Sequence, residues 1–349
     1  MRGPKDHRPT AQKNPVPSWG MTAGASDESF RAIFEPHRRA MTLHCYRMLG
    51  SLQDAEEIVQ ETLLRAWQRR EEARSSTLRP WLYKIATNAC LDQLSKARRR
   101  RTLPQLLAPP SSATVRLAPA TDEQLWIEPV PDALLDVADD ASRQPDERVP
   151  LRESIGLAFI TALQFLSAKQ RAALLLVDVL EWKPEEAAAL LESSPFAVNS
   201  LLQRARKSVA ARSAERPATE LTGANAALLQ RFIRTWESGD TEAFSTLLAD
   251  DAQFSMPPQP EWFAGREAIS RFFASMWSAQ PGQRRLLPIA ANGGPAVAVY
   301  RRLTAPNAVY EPSGITLLEM RDGLVTRITR FGSPRLFPLF GLSLQLPDD

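Results

Sequence analysis

Cysteine is almost missing: Cys45 and Cys90 are the only two in 349 residues. They cannot build a disulfide framework, and they suit a reducing cytosol as small buried hydrophobes. Apolar residues never run to the ~20 consecutive positions of a membrane span. The N-terminus is polar and Pro-rich, without the apolar stretch of a secretory signal. A cytoplasmic protein with no membrane partner is expected. Histidine is as scarce. His7, His37 and His44 all lie near the N-terminus, which leaves the rest of the chain without the commonest acid–base and metal-ligating side chain. No catalytic residue, metal or cofactor is expected. A large charge excess is also lacking, since the net charge is +3. The charge is segregated along the chain, and that pattern says more than the total.

The stretch Leu52 to Arg101 organises the rest. Leu52, Ala55, Ile58, Val59, Leu63, Ala66 and Trp67 recur at helical spacing and define one apolar face. Asp54, Glu57 and Glu61 make an acidic stripe on another face. A second helix follows, with Ser76 or Thr77 as its cap and Pro80 in its first turn. Trp81, Leu82, Ile85, Ala86 and Ala89 are its expected buried side, which turns Tyr83, Lys84, Thr87 and Asn88 outward. It runs into Lys96, Arg98, Arg99, Arg100 and Arg101. An acidic helix beside an aromatic-bearing helix with a basic end points to two partners, a basic protein surface and a nucleic acid.

Around this stretch the chain divides into segments. Residues 1–25 are rich in Pro, Gly, Lys and Arg and read as a disordered extension, with Met21 a second candidate start. The first domain, 26–101, adds a helix from Asp27 that Pro36 breaks and a helix over about 38–49 that Gly50 ends. Residues 102–150 form an acidic, Pro-rich linker. Between Asp122 and Arg148 nine Asp/Glu face two Arg, a net of −7. Fully extended, this linker spans about 160 Å. One apolar patch interrupts it, Leu125-Trp126-Ile127-Glu128-Pro129-Val130-Pro131-Asp132, and such a patch is expected to dock.

The second domain, 151–213, is helical. Ser167 caps a helix over Ala168 to Leu180, Pro184 opens a short helix, and a tight turn at Glu192 to Ser194 leads to a last helix from Pro195 to Ala210. Two short helices joined by a tight turn, the second carrying Asn199, Gln203, Arg204, Arg206 and Lys207, read as a helix-turn-helix. The third domain, 222–331, has helices at 224–237, Thr241–Leu248 and after Gly265. Strands follow at Ala252–Met256, Arg285–Ala290, Ala296–Leu303, Ile315–Met320 and Leu324–Phe331. Asn292-Gly293-Gly294 and Arg321-Asp322-Gly323 are hairpin turns. Helices followed by an antiparallel meander indicate an α+β domain. Glu319 either points inward as an acid or pairs with an arginine across strands. A ligand pocket is expected beside Met256, Trp262 or Phe273. The apolar tail, 332–349, is expected to pack back on the chain or to meet a partner.

The runs Asp54-Ala55-Glu56-Glu57-Ile58-Val59-Gln60-Glu61-Thr62, Arg65-Ala66-Trp67, Trp81-Leu82-Tyr83-Lys84-Ile85-Ala86-Thr87-Asn88 and Leu91-Asp92 closely resemble region 2 of bacterial extracytoplasmic-function sigma factors. Val198 to Arg206 resembles the recognition helix of their region 4, with Glu192 standing where that family usually has Gly. The Trp126 patch resembles a Trp-X-Glu-Pro-X-Pro-Asp run in sigma factors that carry an extra C-terminal domain. Residues 265–269 ahead of the meander resemble SnoaL-like domains, a helix-lined cone around a curved sheet. The resemblance implies two all-α DNA-binding domains, the second a helix-turn-helix, followed by an α+β SnoaL-like domain that regulates them in cis.

By the same resemblance Asp54, Glu57, Gln60, Glu61 and Leu64 meet the β′ clamp helices of core RNA polymerase, and the β flap is a second contact. Tyr83, Lys84, Thr87, Asn88, Lys96, Arg98 and Arg99 hold the minus-ten element, where melted bases need aromatic platforms, a polar reader and cations. Phe196, Ala197, Asn199, Ser200, Gln203 and Arg204 face the bases of the minus-thirty-five element. Arg206 and Lys207, with Arg212, face phosphates. An anti-sigma protein and a small ligand remain open as partners. Two other functions compete: a helix-turn-helix regulator that binds duplex DNA without polymerase, and an enzyme or ligand sensor built on the third domain.

Overall fold

A computed structural model describes residues 32–69, 77–96, 101–112, 117, 119, 126–134, 156–211, 223–279, 283–302 and 309–347. The N-terminal extension, the start of the helix from Asp27, the loop 70–76, Arg98, Arg99, Arg212 and most of the acidic linker lie outside the described residues.

The first domain is built from α1 (Arg38–Leu49), α2 (Leu52–Gln68) and α3 (Leu78–Lys96). Gly50 ends α1 in the left-handed conformation at φ 74°, and Ser51 caps α2 by accepting from the Asp54 amide. A close neighbour adds a second constraint at position 50. A Cβ there would lie 3.1 Å from Nε2 of Gln164, which belongs to the second domain.

That domain comprises α4 (Leu157–Gln164), α5 (Ala168–Leu174), α6 (Pro184–Leu190) and α7 (Pro195–Ala210). Ser167 and Gln170 form a reciprocal capping box on α5. The expected single helix from Ala168 to Leu180 changes register at Leu175–Val179, which is a π-turn. The two helical domains share one apolar core. Arg171 of α5 is buried between them and donates to the Met48 carbonyl at the C-terminal end of α1 and to Gln164 Oε1 at 2.8 Å. The partial negative charge of a helix C-terminus suits a buried guanidinium.

The third domain carries α8 (Gly223–Ser238), α9 (Thr241–Ser245) and α10 (Arg266–Ala279) against a six-stranded sheet. The strands are β1 (Leu248–Ser255), β2 (Trp262–Ala264), β3 (Gln283–Ala291), β4 (Gly294–Arg302), β5 (Tyr310–Arg321) and β6 (Leu324–Phe331), in the order β2-β1-β6-β5-β4-β3. The meander β3 to β6 is antiparallel as expected. The sheet as a whole is mixed, because β1 runs parallel to β6. The helix expected to reach Leu248 stops at Ser245, and β1 starts four residues earlier than its apolar run suggested.

Aromatic rings fill the inside of the cone. Trp236 and Phe273 centroids lie 4.9 Å apart, Phe244 and Phe273 4.7 Å, and Phe263 and Phe272 4.5 Å. Such pairs add to the burial of their own area. The other sheet face is buried as well, so β4 shows no in-out alternation. Tyr300 on that face packs edge-on against Phe337 of a short tail helix, α11 (Leu336–Leu339). Leu346 pairs with Tyr310. The apolar tail therefore folds back onto the sheet.

Candidate polymerase and nucleic-acid interface

The acidic face of α2 divides in two. Glu57, Gln60 and Glu61 are exposed, and Leu64 beside them is a large apolar side chain at 58% exposure. Asp54 is already engaged. Its Oδ2 accepts from Arg101 at 2.8 Å, and Arg101 also donates to the Trp126 carbonyl at 3.0 Å. Arg101 is thus turned back onto its own domain rather than extending the basic end of α3.

The expected faces of α3 need correction. Tyr83 is 2% exposed and Thr87 is buried, whereas Trp81 and Ile85 are only half-buried. The cause is packing on two sides. His44 of α1 approaches Thr87 Oγ1 at 2.9 Å and meets the Tyr83 ring at 5.2 Å. From the second domain Trp182 lies edge-on to the same ring at 5.8 Å. Helical periodicity on a helix sandwiched between two neighbours picks out one buried stripe where there are two. In this arrangement neither Tyr83 nor Thr87 is open to a nucleic acid. Lys84 remains half-exposed, 3.7 Å from Glu192. Asn88 is half-buried and Lys96 exposed.

Helix α7 presents its expected side. Val198, Leu202 and Ala205 face the core. Phe196 is 85% exposed, Asn199, Gln203, Arg204 and Lys207 are exposed, and Ala197 and Ser200 are partly covered. Arg206 is exposed too but forms a bidentate pair with Asp178 at 2.9 and 2.6 Å, which orients its guanidinium. The turn before α7 accommodates Glu192 at φ 50°, the left-handed conformation that favours glycine.

A further set of residues joins the domains, and it escaped the pattern reading. Glu128 of the linker patch accepts on Oε2 from Ser51 Oγ at 2.9 Å, the Leu52 amide at 2.8 Å and the Gln53 amide at 3.2 Å. It therefore caps the N-terminus of the acidic helix, where a carboxylate is favoured. Two residues on, Val130 and Asn292 of the β3–β4 hairpin exchange hydrogen bonds at 2.9 and 3.0 Å. Asn292 Nδ2 donates to Tyr46 Oη at 2.9 Å, and Tyr46 donates onward to the Glu128 carbonyl at 2.9 Å. Asp132 Oδ1 accepts from the Gly293 amide at 2.8 Å. The patch and the hairpin each stood out in sequence. Nothing in sequence spacing pairs residues 162 positions apart.

The third domain's expected pocket residues are otherwise occupied. Phe273 is fully packed, Met256 is buried in the same core, and Trp262 donates to the Ala108 carbonyl at 2.7 Å. Glu319 pairs with Arg327 across strands at 3.0 Å. No helix among the described residues is long and apolar enough to cross a membrane.

Comparison with known proteins follows the same divisions. Residues 33–100 match the family Sigma-70 region 2, residues 156–209 match Sigma-70, region 4, and residues 229–328 match the SnoaL-like domain. ECF RNA polymerase sigma factor SigG of Mycobacterium tuberculosis is 43% identical over 318 residues, covering 90% of this chain and 84% of its own length. SigJ of the same organism is 27% identical over 321 residues, covering 87% and 92%. The crystal structure of SigJ shares the fold, with a TM-score of 0.57 at 23% identity over 89% of this chain and 99% of that one. The chain belongs to the extracytoplasmic-function RNA polymerase sigma factors, proteins whose partners are core RNA polymerase and promoter DNA.

Proposed function

We propose that this sigma factor docks on the polymerase β′ clamp helices through Glu57, Gln60, Glu61 and Leu64, with Asp54 joining once Arg101 releases it. Opposite charge would steer the encounter, and Leu64 would supply apolar contact. The N-terminal half of α7 reads the minus-thirty-five element through Phe196, Asn199, Gln203 and Arg204, and Lys207 contacts phosphate. The minus-ten element falls to α3 and its basic end. There Tyr83 becomes a stacking platform only after Trp182 withdraws, so the arrangement described above is a closed form. The second domain engages the β flap.

The third domain regulates these surfaces in cis. One observation carries that reading: the linker carboxylate that caps the polymerase-facing helix belongs to the same short segment that grips the β3–β4 hairpin. A change in the third domain is thereby transmitted to the start of α2.

The test is run-off transcription by core polymerase with the full chain and with a chain ending at Arg216. Both are expected to initiate from one promoter at different rates. Equal rates would remove the cis-regulatory role.

A further inference from the structure

Where the first domain, the linker patch and the third domain with its tail meet, the chain leaves a cavity of about 210 Å³. Its walls come from separate stretches: Gln53 in the first turn of α2, Trp126 and Glu128 of the linker, Pro258 after β1, and Phe331 and Leu339 at the end of β6 and in the tail. Most of the wall is apolar, and an apolar cavity of about 150 Å³ is known to take up benzene. This cavity, open on one side, is large enough for a substituted benzene or a fused bicyclic ring.

Its polar groups narrow the chemistry. Glu128 Oε2 is saturated by its three donors at the start of α2, while Oε1 has no hydrogen-bond partner among the described residues. Arg335 also lines the wall, so the cavity carries a charge of each sign. A neutral guest is favoured over an ion, and a guest with an N–H or O–H has an acceptor waiting. Trp126, Pro258, Phe331 and Leu339 make the wall mainly apolar, which suits an aromatic guest.

We propose that this seam is a binding site for a small, neutral, planar aromatic molecule carrying one hydrogen-bond donor, and that the molecule clamps the third domain and linker onto α2. A guest that touches all of these stretches binds only when they are together, so it stabilises the assembled form by mass action. The site lies outside the cone, whose interior is filled by aromatic side chains. Its effect on transcription rests on the cis-regulatory role proposed above, whereas the binding does not.

The experiment is calorimetric titration of the full chain with indole, flanked by phenol and 2-naphthol as smaller and larger probes. Indole is expected to bind saturably at one site per chain. At ten times its Kd it should slow protease cleavage between residues 102 and 150 about tenfold. Leu339→Trp and Ser333→Trp each fill the cavity and should weaken binding by at least about tenfold. Hydrogen exchange on the unaltered chain maps the site independently of those variants, with new protection expected at Gln53, 126–128 and 331–339. Absence of saturable binding by any of the three probes up to about 1 mM overturns the proposal. So does protection elsewhere, or unchanged affinity in both folded variants. If indole binds at the seam while full-length and truncated chains transcribe alike, the cis-regulatory role fails and the site stands.

Discussion

His44 has an imidazole buried in the first domain, where desolvation and then the nearby Arg47 charge lower its pKa to about 3. It stays neutral in the folded chain, while the unfolded chain takes up a proton below its ordinary value of 6.5. A group whose folded pKa is depressed in this way, and which must stay uncharged, contributes stability above pH 6.5 that is lost as the pH falls towards 3. At pH 5 the loss is about 2 kcal/mol. Urea unfolding at pH 7 and pH 5 should show it, and His44→Gln should flatten that part of the slope. Asn292 offers a second test at this scale. It combines a left-handed backbone at φ 53° with hydrogen bonds to Val130 and Tyr46. Asn292→Ala loses the bonds and strains the turn, at about 3 kcal/mol. Asn292→Gly loses only the bonds and should cost about 1 kcal/mol less. Equal unfolding midpoints for the two variants would show that the backbone conformation contributes nothing.

Among the elements, α7 and its turn were legible residue by residue. The helix starts at Pro195 and ends at Ala210 as its punctuation predicts, with Ser194 as its cap. A buried stripe at Val198, Leu202 and Ala205 leaves Asn199, Gln203 and Arg204 exposed because the helix has one packed face. Glu192 is the local exception. Its side chain reaches only an exposed contact with Lys84, too solvated to offset a left-handed backbone. Glu192→Gly is therefore expected to stabilise the second domain by about 1 kcal/mol, read as a raised thermal midpoint. A lowered midpoint would mean that the Lys84 contact outweighs the strain. Helix α3 was legible in position but not in orientation. Two neighbours cover it, so the periodicity that places Trp81 and Ile85 inward missed Tyr83 and Thr87.

At the scale of the molecule, a short linker patch does what a large interface does elsewhere. It caps α2, backs the cavity and grips the third domain through hydrogen bonds of Val130 and Asp132 with the β3–β4 hairpin. The Trp126 side chain is 3% exposed and anchors the patch by burial, while its carbonyl accepts from Arg101. Trp126→Ala is predicted to free the patch, seen as faster proteolysis between residues 102 and 150 in the full chain. Unchanged cleavage would show that Glu128 and Val130 suffice. The buried outer face of the sheet belongs to the same design, since tail and linker both cover it and leave β4 apolar on two sides.

The sequence by itself determined most of the helices, the Ser167 cap, the meander, the docking character of the Trp126 patch and the membership of the two helical domains. Each of those rests on local spacing, turn chemistry or a contiguous motif, all of which are written along the chain. Tertiary structure alone decided that β1 joins β6 in parallel, that Tyr83 lies beneath Trp182, that Arg101 turns back onto Asp54, and that Glu128, Tyr46 and Asn292 form one network. These are contacts between groups far apart in the chain. Their geometry follows from how whole domains pack, and no periodicity within a single element encodes it.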